Sequence, residues 1–284
     1  MTSRTLIQAS TGQAKLKWVH CLILLVLFWS CLTSHSWAAQ DTKQQQADSL
    51  YADAANFQRG GAYEIAVQSW KSFLDRYPQD PKATNASYYL GICYLQQSVP
   101  NYAAASQAFE QTLKDPQFSM RGEASTNLAW SLYRQGTAGP QPDTQLLQKT
   151  LSVLAKLLEE KPSVPLAGQA LFYSGEASYA LGNRKQAIDF YTRFLSSQPN
   201  TSPLRGDVLY GKGVAEEELE FNDAAITSYE TLLETCERTE IVTDVKLRLG
   251  DLYILKGKFE EAIKTFRFIV NSVDEPTDRS YALF

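Results

Sequence analysis

Side chains able to do covalent or metal chemistry are sparse in this sequence. Both histidines, His20 and His35, lie in the first 38 residues, so the rest of the chain lacks the commonest general base and metal ligand. Cys21 and Cys31 lie there too, which leaves Cys93 and Cys236, far from zinc-ligand spacing. There is no Gly-rich phosphate loop and no H-E-x-x-H helix. The other candidates are carboxylates. The runs 216-EEELE-220 and 159-EE-160 could in principle supply acid–base chemistry or hold Ca²⁺. Neither carries the Ca²⁺-loop pattern with its Gly, and a solvated helix face is the expected role of such runs. The sequence therefore predicts no catalytic residue, no metal site, no cofactor and no enzymatic activity.

The elements behind these residues repeat. A small residue is followed after seven positions by Gly, then five on by Ala, four on by an aromatic and eight on by Pro. One copy runs Gly175, Gly182, Ala187, Tyr191, Pro199; another runs Ala54, Gly61, Ala66, Trp70, Pro78; the last runs Gly250, Gly257, Ala262, Phe266, with Pro276 slightly late. Apolar residues recur at helical spacing on both sides of the central Gly: Leu249, Leu252 and Tyr253 before Gly257, and Ile263, Phe266, Ile269 and Val270 after it. Each copy reads as two amphipathic helices joined where Gly can end a helix in a left-handed residue. Asp80-Pro81 and Ser202-Pro203 read as starts of the next hairpin.

Six copies can be aligned. Their first-helix small residues are Ala54, Gly91, Ala129, Gly175, Gly213 and Gly250; their second-helix anchors are Ala66/Trp70, Ala105/Phe109, Thr150/Leu154, Ala187/Tyr191, Ala225/Tyr229 and Ala262/Phe266. Copy two lacks the helix-ending Gly, copy five has Glu220 in its place, and copy three carries an extended turn, 137-TAGPQPD-143. The pattern resembles the tetratricopeptide repeat, W-x2-L-G-x2-Y…A-x3-F…P. That resemblance implies an all-α, right-handed superhelical solenoid of about six helical hairpins, each leaning on the next. The expected repeats are 47–83, 84–121, 122–167, 168–205, 206–242 and 243–276, preceded by a polar linker at 39–46 and followed by a partial or capping helix at 277–284. The lengthened connection 77-YPQDPKATNASYYLG-91 is similar to those of two bacterial envelope families. One is the periplasmic division coordinator that works with the Tol-Pal machinery; the other is the repeat lipoprotein of the outer-membrane β-barrel assembly complex. The first family has a coiled coil ahead of its repeats, for which this chain has no heptads, so trimerisation is not carried over. The second needs a lipid-bearing Cys, and Trp29 fits poorly two residues before Cys31.

Residues 1–38 read as a signal peptide. Arg4, Lys15 and Lys17 form a positive segment without acids, Cys21–Leu32 is apolar, and Ser36-Trp37-Ala38 puts small residues at −3 and −1, so cleavage is expected before Ala39. The apolar stretch would span about 18 Å as a helix, short of the ~30 Å bilayer core. Three of the 27 basic residues and none of the 31 acids lie in the leader, leaving the mature chain near −7. An acidic chain without a Lys/Arg run argues against nucleic acid. A Cys93–Cys236 disulfide is not expected, because three repeats of about 10 Å each separate them while a disulfide needs Cα atoms within roughly 7 Å.

In such repeats the first helices line a concave groove. Positions 5, 9 and 12 of each copy share one helical stripe. The candidate groove residues on it are Tyr51, Tyr88, Trp130, Tyr133, Phe172, Tyr179, Tyr210 and Asp251. Tyr and Trp combine a large apolar body with a polar tip, which suits partner recognition as well as packing against the next repeat. Acids at Asp207, Glu217, Glu218, Asp244 and Asp251 predict a negative C-terminal end of the groove, facing basic residues of an extended or helical peptide. The expected function is a non-enzymatic scaffold or adaptor of the periplasm that binds a protein or peptide partner, with roles in envelope assembly or division implied by the resemblance. Two alternatives stay open: a glycan-associated scaffold in polysaccharide export or wall metabolism, and the N-terminal repeat region of a longer protein. Oligomeric state is not legible.

Overall fold

The computed structural model describes residues 42–235 and 239–272, and every regular element among them is a helix. The leader, Cys236 and residues 277–284 lie outside the described residues, together with the expectations attached to them. The helices are α1 (42–59), α2 (Tyr63–Arg76), α3 (Ala83–Gln96), α4 (Tyr102–Thr112), α5 (Arg121–Gly136), α6 (Thr144–Glu159), α7 (Val164–Ala180), α8 (Arg184–Ser197), α9 (Arg205–Glu218), α10 (Asn222–Thr235), α11 (Thr239–Leu255) and α12 (Phe259–Ser272). No described helix is long and apolar enough to cross a membrane. Residues 42–46, expected as linker, instead form the first turns of α1. Gln and Lys are good helix formers, Gln44 donates to Asp48 (3.1 Å) and Asp80 (3.0 Å), and Ala47 is already buried.

The chain divides into two compact units, residues 1–86 and 87–284. In the first, Trp70 and Phe73 of α2 are fully buried and the Tyr51 ring meets both edge-on. The indole N–H of Trp70 donates to Gln58 at 3.1 Å. In the second, each helix from α4 to α12 packs on its successor, and α5–α7 and α7–α9 also touch. The first helices α5, α7 and α9 thus form one layer, with α6 and α8 packed between successive members.

The hairpins close by one device. After α1, α7, α9 and α11 the next residue but one turns left-handed: Gly61, Gly182, Glu220 and Gly257 have φ of 74°, 81°, 60° and 71°. In each, that residue's N–H reaches back three residues and the following N–H reaches back five, as in Gly182 to Tyr179 and Asn183 to Ser178, both 2.9 Å. This satisfies carbonyls a helix end would otherwise leave orphaned. Glu220 makes the same bonds (2.9 Å to Glu217 and, from Phe221, 2.9 Å to Glu216) without glycine's freedom. Asp80-Pro81 and Ser202-Pro203 sit one turn earlier than expected. Ala83 N–H to Asp80 (2.9 Å) and Arg205 N–H to Ser202 (3.1 Å) close a separate turn before α3 and α9.

Within a hairpin the helices meet where the second-helix anchor lies flat on the first-helix small residue. A Cβ built on Gly91 would stand 2.7 Å from the Phe109 ring, on Gly175 2.3 Å from Tyr191, on Gly213 2.4 Å from Tyr229 and on Gly250 2.4 Å from Phe266. Copy three makes the contact differently, with Ala129 clustered with Leu154 and Leu157. Between hairpins, Ile226 of α10 packs under Leu249 and Val245 of α11 and is 4% exposed. The same position on α12, Ile263, is 52% exposed.

Two outcomes follow from this packing. Gly213→Ala is expected to cost about 1–3 kcal/mol in a denaturant titration, because the Tyr229 ring is fully buried and has no room to retreat. Glu220→Gly is expected to add about 1 kcal/mol by relieving a left-handed non-glycine residue; no gain would show that other contacts hold Glu220 there.

Candidate partner groove

The stripe expected from the sequence falls in several places. Tyr51 lies in the first unit, under Lys82 Nζ at 5.2 Å and against Trp70 and Phe73. Tyr88 is buried in the core of the second unit between Phe109 and Phe118, not over a cavity. Trp130, Tyr133, Phe172, Tyr179 and Tyr210 gather on one face of α5, α7 and α9. There they line two adjacent cavities. The first, about 340 Å³, is bounded by Trp130, Tyr133, Arg134, Phe172, Tyr173 and Glu176 among others. The second, about 410 Å³, is bounded by Phe172, Glu176, Tyr179, Tyr210, Gly211 and Arg248 among others. Phe172 and Glu176 belong to both. Asp251 sits half-buried on α11 and lines neither.

The rings also hold the helices in register. Three tyrosine hydroxyls of the stripe donate to a carboxylate one first helix further along: Tyr133 to Glu176 at 3.3 Å, Tyr179 to Glu218, and Tyr210 to Asp244 at 2.8 Å. The anchors behind them donate to the first helix of their own hairpin, Tyr191 to Glu176 at 2.6 Å and Tyr229 to Glu217 at 2.8 Å. Such charge-assisted bonds are worth about 1.5–3 kcal/mol each where water is excluded. They raise the phenols, mainly through burial: Tyr179 is pushed up to about 12, and Tyr133, Tyr191 and Tyr229 go higher still. A ring face toward the groove and a hydroxyl toward the next hairpin are therefore compatible in one residue. Trp130 stacks on Tyr133 (6.0 Å, 26°) and tilts on Tyr173 (5.2 Å), and Arg134 lies over Trp130 and Tyr102 at 5.1 and 4.9 Å.

The acid run 216–220 is a solvated face only in part: Glu218 and Glu220 are exposed, and Glu216 and Glu217 turn inward. Glu216 is 3% exposed, pairs with Lys212 and accepts from Ser228 Oγ at 2.7 Å. Glu217 pairs with Arg248 Nη1 at 3.1 Å, and Glu218 pairs with Arg184, whose guanidinium also stacks 3.9 Å from the centre of the Tyr179 ring. Helix α9 packs on α7, α8 and α10 and reaches Arg248 of α11 through Glu217, so Glu216 and Glu217 meet other helices while Glu218 stays at the surface. Glu159 and Glu160, on the outer end of α6, are exposed as expected.

The same pairing moves the groove's negative charge. Arg248 is held by Asp244 (3.0 Å to Nε) and Glu217, so the end expected to be most acidic is largely neutralised. Glu176, at the boundary of the two cavities, accepts from two phenols and, among the described residues, has no ion pair. Burial raises its pKa above the ordinary carboxylate range. The hydrogen bonds from Tyr191 and Tyr133 pull it down, and the Asp207 charge adds to the rise. Glu176 falls at position 9 of the stripe in the sequence, without a role assigned to it; Arg248 and Gly211 lie off the stripe and were not read as groove residues. Only the packing of α7 against α9 reveals what Glu176 faces. Among the described residues no cluster of His, Cys, Asp and Glu could hold a metal ion, and Cys93 is fully buried.

With this geometry in view, known proteins provide a frame. Residues 169–201 match a family described as tetratricopeptide repeat, and residues 243–267 match a second of the same description. No curated protein matches the sequence. Among solved structures, the chain is similar to PilF of Pseudomonas aeruginosa, at 13% identity over 84% of this chain and 96% of that one, with a TM-score of 0.57. It is similar to PilW, a widely conserved type IV pilus biogenesis factor, at 18% identity over 84% and 99%, TM-score 0.58. It is similar to a tetratricopeptide repeat protein of Parabacteroides merdae, at 18% identity over 83% of each chain, TM-score 0.60. The chain carries tetratricopeptide repeats, and its fold is that of the proteins built from them.

The raised pKa of Glu176 sets a sign for its effect on stability. A carboxyl that binds its proton more tightly in the folded chain costs stability when ionised, and the cost vanishes as pH falls below the ordinary carboxylate range. Glu176→Gln is expected to raise the melting temperature at pH 7 and to match the parent protein below about pH 4. A lower melting temperature at pH 7 would show that the two phenol hydrogen bonds outweigh the burial of the charge.

Proposed function

We propose that this protein is a non-enzymatic scaffold that holds a segment of a protein partner along the groove of its second unit. The observation that carries this reading is the pair of adjoining cavities on α5, α7 and α9, lined by Trp130, Tyr133, Phe172, Tyr179 and Tyr210. Their combined size suits an extended run of a few residues. Their lining of rigid aromatic side chains with fixed polar tips is the composition of surfaces that bind proteins at low entropic cost. Nothing in the groove has the layout of a nucleophile and its base, and the acids there are committed to hydrogen bonds and ion pairs that hold the hairpins together.

We further propose that the protein acts outside the cytoplasm, in the periplasm of a bacterium, with the repeat boundaries given above. The leader-like residues 1–38 support export, and the fold likeness to PilF and to the pilus biogenesis factor PilW supports a place in envelope assembly. The stacked Trp130–Tyr133 pair would also suit a sugar ring, so a glycan partner is the competing outcome.

A photo-crosslinking residue at position 130 of the exported chain decides between them. Adducts that proteases reduce to peptides are expected. Adducts that resist proteases and yield to glycan hydrolases would replace this reading with the polysaccharide one. In parallel, Trp130→Ala with Tyr133→Ala is expected to keep the helical circular dichroism and lose about 1–2 kcal/mol, since both rings are only half-buried. A loss of several kcal/mol would place them in the core instead.

A further inference from the structure

Tyr191 and Tyr229 hold the same place in successive hairpins, and each gives its hydroxyl to a first-helix glutamate. At Tyr229 the acceptor, Glu217, is neutralised by Arg248 reaching back from the next hairpin (3.1 Å). At Tyr191 the acceptor is Glu176. Its two oxygens take Tyr191 (2.6 Å) and Tyr133 (3.3 Å), and among the described residues no Lys or Arg forms an ion pair with it. The position 37 residues before Arg248 is Gly211, which has no side chain to send back. The arginine present in one hairpin junction is absent from the junction before it, and an open cavity of about 410 Å³, lined by both Glu176 and Gly211, lies there.

Hydrogen bonds from two phenols satisfy part of the carboxylate's acceptor capacity but none of its charge. A half-buried anion is costly unless a cation meets it. The protein's own nearby guanidinium groups are committed. Arg248 is clamped between Asp244 and Glu217, and Arg134 lies over Trp130 and Tyr102. Phe172 lines the cavity beside Glu176 with a ring face that attracts cations; Tyr179 and Tyr210 line it too, with Arg184 and Arg248 already over their rings.

We propose that this cavity receives the ammonium or guanidinium end of one basic side chain of the bound protein segment, which pairs with Glu176 in the place an arginine takes at the next junction. The proposal rests on the groove being a protein-binding surface and adds which residue type the partner must present, and where. It moves the basic contact from the C-terminal hairpins, where the sequence suggested it, to the α7–α9 junction.

The test uses a library of displayed dodecapeptides selected on the full chain. Selected peptides whose binding is lost in Trp130→Ala/Tyr133→Ala are groove ligands. They are expected to share a Lys or Arg. Glu176→Gln should raise the Kd at least tenfold, replacement of the peptide's Lys by norleucine (or Arg by citrulline) should do the same, and the two changes together should cost no more than either alone. The peptide arm needs no change in the protein, so it stands even if a protein variant folds poorly. Groove ligands whose Kd is indifferent to both changes would overturn the cation site and leave the groove reading standing. A library that yields no groove ligand would remove that reading, and this proposal with it.

Discussion

The structure depends on one contact made over and over: an aromatic ring on the second helix of a hairpin pressed on a residue with little or no side chain on the first. Gly91 under Phe109, Gly175 under Tyr191, Gly213 under Tyr229 and Gly250 under Phe266 leave no room for a methyl group. The ring sets how closely the two helices approach, and its burial supplies much of the apolar area that a short hairpin needs. Such a hairpin cannot cover its own apolar face. Ile226, for example, is covered by Leu249 and Val245 of the next hairpin. Stability is therefore shared along the array, repeat by repeat.

Packing alone would let the hairpins slide. Polar bonds at the tips of the aromatic residues restrain them. Tyr133, Tyr179 and Tyr210 each reach a carboxylate on the next first helix, and Trp70, Tyr191 and Tyr229 each reach an acceptor on their own hairpin's first helix. A ladder of this kind costs surface-exposed charge nothing and gives the interior acids partners. It also commits Glu216, Glu217 and Glu218 of α9 to pairing, which is why a run that reads as solvent-facing in sequence is partly turned inward in the fold.

A site arises where the ladder is incomplete. At the α9–α11 junction the glutamate that holds the anchor tyrosine is balanced by Arg248; at the α7–α9 junction the corresponding charge on Glu176 faces a cavity beside Gly211. Proteins commonly give up stability at places that must accept a ligand. The burial that raises the Glu176 pKa is a cost of that kind, and it is removed when a cation arrives.

Much of this was legible in residue order. The seven-, five- and four-residue spacings around Gly182, Ala187 and Tyr191 specify a hairpin because only those offsets place a left-handed turn and a ring-on-glycine contact on the same pair of helices. The stripe of Trp130, Tyr133, Phe172, Tyr179 and Tyr210 followed from helical periodicity, which depends on neighbours close in sequence. What residue order could not decide was which acids keep their charge. Glu176 and Glu217 stand at different places on their helices, one and four residues after the small residue, yet each takes the hydroxyl of its anchor tyrosine. The difference in their charge balance comes from Arg248, 31 positions from Glu217, and Gly211, 35 positions from Glu176, which meet them only when one hairpin is laid on the next. Burial and long-range pairing set the charge of a groove, and both exist only after the helices have packed.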